Sequence, residues 1–211
     1  MNDEGAPPLN LDYHDKPKHS ELIARLGWTN SFCRLLASYE EAVKTLFDSV
    51  DGGRQPIDFI APPLLFLMRH SMELGYKYTI WEIHQILGET YDAEAYGKHD
   101  LGVLHAALRE LHQKVVVKLN LPDSEVESFD HHCANTEAGM KKFMAMDSGS
   151  FSFRYPIDKK GNANFRPDET IDLVAIKLLY DDAMILLCAT VDVLEQYVEI
   201  ESYWARDFSP W

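Results

Sequence analysis

Hydrophobic positions recur at steps of three and four in five stretches of the chain, the spacing that gathers side chains on one face of an α-helix. In the first, Glu21 to Val50, the residues Trp28, Phe32, Leu35, Leu36, Tyr39, Val43, Leu46, Phe47 and Val50 share a face, and Gly52-Gly53 ends it. The second is expected to open at Pro62-Pro63, because proline is tolerated in a first turn, and to reach Gly88. Its early turns, beginning LLFLM, are apolar almost all round, which predicts a central, buried helix.

After a polar connection over 89–98, the third helix starts near His99 or Asp100. Leu101, Leu104, Leu108, Leu111, Val115 and Leu119 form its stripe, and Asn120 and Pro122 are its stops. Ser124-Glu125-Val126-Glu127 fits a capping box for a fourth helix carrying Val126, Phe129, Cys133, Met140, Phe143 and Met144. The fifth is expected from about Asp168 to Tyr203. Its core candidates are Ile171, Val174, Leu178, Met184, Ile185, Leu187, Val191, Leu194 and Val198.

The segment 147–167 breaks the helical period. Phe151, Phe153 and Tyr155 alternate, and Pro156 and Lys159-Lys160-Gly161-Asn162 make turns, so two short strands or an ordered loop are expected. The fold class that follows is all-α, a five-helix bundle with a short β-hairpin-like insert near 150–166. Residues 1–18, with Pro7, Pro8 and Pro17 and no apolar period, read as a flexible N-terminal arm. Residues 19–205 form a single helical domain, and 206–211 a C-terminal tail.

At 211 residues one domain is the simplest expectation. Twenty Lys and Arg against 34 Asp and Glu give a net charge of −14, which disfavours duplex DNA and anionic membranes as partners. The apolar runs Leu64 to Met68 and Met184 to Ala189 are far too short to span a bilayer. Cys33, Cys133 and Cys188 are odd in number and far apart, and the first residues have the acids and prolines that an export signal avoids. The expected location is cytoplasmic.

Four groups could carry chemistry. Arg69, Glu73 and Lys77 lie at i, i+4 and i+8 on one side of the second helix, with His70 close in angle to Lys77. Charges beside so apolar a run form either a structural ladder or a site in which Arg69 or Lys77 holds an anion and His70 titrates. Lys98-His99-Asp100 sits at a helix start, where capping is the plain role. On the third helix, His105, Arg109 and His112 read as an exposed polar face.

Phe151-Ser152-Phe153-Arg154-Tyr155-Pro156 sets one guanidinium among aromatics. With Lys159, Lys160 and Arg166 it makes the most basic stretch, suited to a solvated hairpin or to contact with an anion or RNA. His131 and His132 are adjacent on a helix, point about 100° apart and make a poor metal pair. No HExxH, GxxxxGK[ST], GxGxxG or GxSxG is present, and no metal or cofactor is implied.

In this order, Arg69-His70-Ser71-Met72-Glu73-Leu74-Gly75-Tyr76-Lys77, His99-Asp100-Leu101 and Phe153-Arg154-Tyr155-Pro156 together resemble a poorly characterised bacterial branch of the HEPN-like helical domains. The likeness covers about Leu64 to Pro156 and rests on the order of short motifs. It implies a helical bundle that commonly forms a homodimer, and either a non-catalytic interaction or ligand-sensing module linked to defence or stress, or a metal-independent endoribonuclease. Active members carry Arg and His with four to six residues between them. Here Arg69 directly precedes His70, and Arg109 precedes His112 by three, so that motif does not transfer.

An RNase built on this chain would need a non-standard set. Arg69, His70, Glu73 and His99 would be catalytic, and Lys77, Arg154, Tyr155, Lys159 and Lys160 would contact RNA, a nucleotide or another anion. The absent spacing and the acidic charge favour the non-catalytic module.

Overall fold

The computed structural model describes residues 24–207, so the expected arm at 1–18 lies outside the described residues. After a short 3-10 turn at Leu26–Thr29 come five helices: α1 (Phe32–Asp51), α2 (Ile57–Leu87), α3 (Leu101–Leu119), α4 (Asp123–Met146) and α5 (Leu173–Asp207). The bundle is all-α. As its apolar composition predicts, α2 is central: α1, α3 and α5 all pack on it, while α4 packs on α5 and more lightly on α3. Leu64, Met68, Met72, Tyr76, Ile80 and Ile83 of α2 are wholly buried.

Local chemistry moves several boundaries. Ser31 caps α1 by accepting from Arg34 N–H, so α1 starts at Phe32 and Trp28 stands 64% exposed instead of in the core; the expected start at Glu21 lies outside the described residues. α2 begins at Ile57, not at Pro62. Pro62 and Pro63 fall in its second turn, on an exposed face where the missing N–H groups leave only solvated carbonyls. Gly88 ends α2 in the left-handed conformation, φ 73°, and its N–H and that of Glu89 return to the last turn.

Asp100 caps α3 through Oδ1, which accepts from the N–H groups of Gly102 and Val103. The capping box expected at Ser124 does not form. Pro122 starts α4 at Asp123, placing Ser124 inside the first turn, and Asp123 and Glu125 instead favour the positive end of the helix. α5 begins at Leu173, where Asp172 caps it, and extends past Tyr203 to Asp207; the remainder of the expected tail lies outside the described residues.

The β-hairpin-like insert near 150–166 is not seen. Among the described residues there is one antiparallel bridge, Ile157 with Ala163, closed by a turn in which Asp158 accepts from Lys160 and Asn162 N–H. The reason lies one helix end earlier. Asp147 Oδ1 takes the N–H groups of Phe151 and Ser152 at 2.6 and 3.0 Å, amides that a strand would have used in a ladder, and Pro156 has none to offer.

Part of the expected core of α5 faces outward: Val174, Leu178 and Ile185 are 60%, 62% and 52% exposed, and Val198 is also exposed. The contact between α2 and α5 is unusually close. Gly75 faces Leu187, and a β-carbon there would stand 2.8 Å from Leu187 Cδ1. One turn on, Thr79 Oγ1 donates to Leu187 O at 2.8 Å. Among the described residues no helix is long and apolar enough to cross a membrane.

Candidate functional site

The helical spacing of Arg69, Glu73 and Lys77 produces a continuous charged seam on α2. Arg69 is fully buried. Its Nε donates to Asp147 O at 2.9 Å, Nη1 to Glu73 Oε2 at 3.4 Å, and Nη2 to the carbonyls of His99 and Ser148. Every guanidinium nitrogen is thus engaged. This arginine ties α2 to the strap before α3 and to the loop after α4.

Glu73, 1% exposed, is the acceptor at the centre. Its Oε1 receives Lys77 Nζ and His99 Nδ1, each at 2.8 Å. Burial alone would raise its pKa. Lys77, by hydrogen bond and charge, and then His99 outweigh burial and hold the carboxyl below its ordinary range. An ionised carboxylate can only accept, so His99 must carry its proton on Nδ1 in the neutral form, leaving Nε2 as a free acceptor. The His99 side chain is 56% exposed and that of Lys77 is 14% exposed, so the seam is sealed at Arg69 and opens at His99.

His70 sits on an adjoining face of the same helix and joins none of these hydrogen bonds. Its ring stacks on Phe66 at 5.7 Å and meets Tyr39 edge-on at 4.7 Å. Burial in these aromatics lowers its pKa, and although Glu73 pulls it upward, the net shift favours neutral imidazole. Arg154 reaches the other end of this stack: its guanidinium lies 5.5 Å over the Phe66 ring and 5.8 Å over Tyr155. The structure therefore brings Arg154 and Tyr155 to α2 by way of Phe66, not through Glu73. Lys159 and Lys160 are exposed at the tip of the following turn, with no contact to the seam among the described residues.

His105 and His112 are corrections to the exposed face expected on α3, since each is only 5% exposed. His105 Nδ1 shares a 2.9 Å hydrogen bond with Tyr76 Oη inside the core. The His112 ring stacks on Phe129 with centroids 3.4 Å apart, and burial pushes its pKa down to about 4. Arg109 is exposed as expected. Burial raises Cys133 to about 12, which removes it as a nucleophile at neutral pH. Among the described residues no group of three or more His, Cys, Asp or Glu side chains is placed to hold a metal ion.

The residue most clearly missed by the pattern is Asp147. Its main chain receives Arg69 and its carboxylate shapes the loop that carries Arg154. The available signal was an Asp at a helix end followed by Ser-Gly-Ser, a common side-chain-closed turn. Comparison with protein-family models, with curated proteins and with solved structures finds no match.

Proposed function

We propose that the chain is a HEPN-like helical module that senses a ligand or binds a partner without catalysing a reaction, in the bacterial defence or stress setting that the resemblance implies. What carries the reading is the state of Arg69. An arginine that holds a phosphate needs free donors in reach of solvent. This one is wholly buried, with all three nitrogens committed to Glu73 and to main-chain carbonyls. The seam then serves to hold two loops on the central helix, and homodimer formation belongs to the same proposal.

A second reading is supported by one observation. His99 presents an exposed imidazole whose Nδ1 is held by Glu73, which leaves Nε2 as a base beside Lys77. A metal-independent endoribonuclease would use His99 to deprotonate a 2′-hydroxyl, with Lys77 and Arg154 near the phosphate.

Incubating purified protein at stoichiometric amounts with single-stranded and structured RNA in EDTA separates the two. Intact RNA is expected. Cleavage that disappears in His99→Ala would replace the module reading with the nuclease.

A further inference from the structure

We infer that a cleft between the start of α1 and the second half of α2 binds a small organic cation, an ammonium on an aromatic or apolar body. This deepens the ligand-sensing reading and rests on it. The cleft holds about 520 Å³, within the roughly 300–1,000 Å³ usual for small-molecule sites. Helical spacing builds its walls. Phe32 and Leu35 are three apart on α1, and Tyr78, Trp81 and Glu82 lie at i, i+3 and i+4 on α2, so each set shares one face. The Phe32 ring leans on Tyr91 at 6.1 Å, and the Tyr78 hydroxyl sits beside the Cys33 thiol, which brings the two walls together.

The side-chain charge at the cleft has one sign. Among the described residues, Glu82 is the acid that borders it, and no lysine or arginine does. Glu82 makes no hydrogen bond or ion pair among the described residues. Glu195 of α5 stands near enough to repel it; burial first, and then Glu195, hold the Glu82 carboxyl above its ordinary range. The cations on either side are already engaged. Arg34 lies over the Trp28 ring at 5.8 Å and donates to Trp28 O at 3.4 Å, and Lys77 donates to Glu73. The first turn of α1 brings roughly half a positive charge, and Ser31 Oγ accepts one of its N–H groups. What remains is a full carboxylate beside Phe32, Tyr78 and Trp81. An ammonium satisfies that carboxylate, and the π faces of tryptophan and tyrosine attract the same charge. An anion would meet repulsion there, and an uncharged ligand would bury Glu82 without a partner.

The test is calorimetric titration of the full chain at neutral pH with phenethylammonium, against phenethyl alcohol and phenylacetate as matched probes. The ammonium is expected to bind most tightly. Glu82→Gln, isosteric at a half-buried position without a bonding partner, should weaken it about tenfold, while Glu82→Asp retains it. Glu127→Gln removes the same charge from an exposed position on α4 and should leave binding unchanged. Trp81→Leu keeps apolar bulk but loses the indole face. It should weaken the ammonium about threefold and spare the alcohol, in protein whose helical circular dichroism is unchanged. Equal binding of the three probes, tighter binding of phenylacetate or binding of none overturns the inference. So does parent-like binding by Glu82→Gln or Trp81→Leu. Equal losses in Glu82→Gln and Glu127→Gln also overturn it, because they reduce the effect to attraction by the net charge of the chain.

The RNA digestion fails independently. A chain that cleaves RNA yet binds the ammonium through Glu82 sinks the module reading and keeps the cleft assignment. A chain that leaves RNA intact and ignores the ammonium does the reverse.

Discussion

Arg69 Nε and the main-chain oxygen of Asp147 lie 2.9 Å apart across 78 residues of sequence, and this hydrogen bond fastens the loop after α4 to the middle of α2. Its donor is a buried charge whose other partners are Glu73 and two further carbonyls. Removing the arginine leaves Glu73 short of a cation and three carbonyls short of a donor. Arg69→Gln is expected to cost about 3–5 kcal/mol, the usual penalty for breaking a buried pair. Arg69→Lys should recover only part of this, because one ammonium cannot span the same acceptors. Urea denaturation followed by circular dichroism measures both; a loss below about 1 kcal/mol for Arg69→Gln contradicts the anchoring role.

The acid limb of stability tests Glu73. Its pKa is lower in the folded chain than the ordinary 4.5. A depressed carboxyl contributes stability that is fully present above the unfolded value and is lost as pH falls through the folded one. Glu73→Gln should thus be less stable than the parent at neutral pH, and the gap should close as pH drops below 4.5. A gap of constant size from pH 7 to pH 3 would show that the carboxylate charge contributes nothing.

His112 gives a second pH dependence in a higher window. Burial against Phe129 holds its folded pKa at about 4, against 6.5 when unfolded. Folding therefore favours the neutral ring. Its contribution is complete above 6.5 and falls away as pH drops from 6.5 towards 4, by about 3 kcal/mol over that range. His112→Leu should flatten the stability curve there, read from thermal melts at successive pH values. An unchanged slope would mean that His112 is protonated in the folded chain.

At Gly75 the expectation is steric. An added methyl would meet Leu187 Cδ1 at 2.8 Å and Leu187 Cβ at 3.3 Å, and Leu187 is wholly buried. Gly75→Ala should destabilise by about 1–3 kcal/mol despite the better helix propensity of alanine. The double variant with Leu187→Ala should lose less than the sum of the separate losses, because the two changes share one space. Strict additivity in the double-mutant cycle would deny the close approach.

Legibility divided along a physical line. The central position of α2 and the seam of Arg69, Glu73 and Lys77 were readable, because helical spacing alone sets which side chains share a face. The stopping of α1 and α2 at glycine was readable for a similar reason. The partners of Arg69 were not: three of them are main-chain carbonyls, which every residue has and which leave no trace in residue type. Asp147 was hidden because its carboxylate diverts amides from the strand that Phe151, Phe153 and Tyr155 suggested by alternation. His105 and His112 looked polar and exposed by type, yet Tyr76 and Phe129 give each a place inside. Val174, Leu178 and Ile185 erred in the opposite direction, since apolar type alone does not say which of two faces is covered.

The Thr79 to Leu187 hydrogen bond links positions 108 residues apart, and it lies beside the Gly75 notch. During synthesis the middle helix therefore waits for nearly the whole polypeptide before its last neighbour arrives. Until then the Gly75 and Thr79 face of α2 lacks its final cover, and a nascent chain halted before α5 is the form most exposed to aggregation and to chaperones.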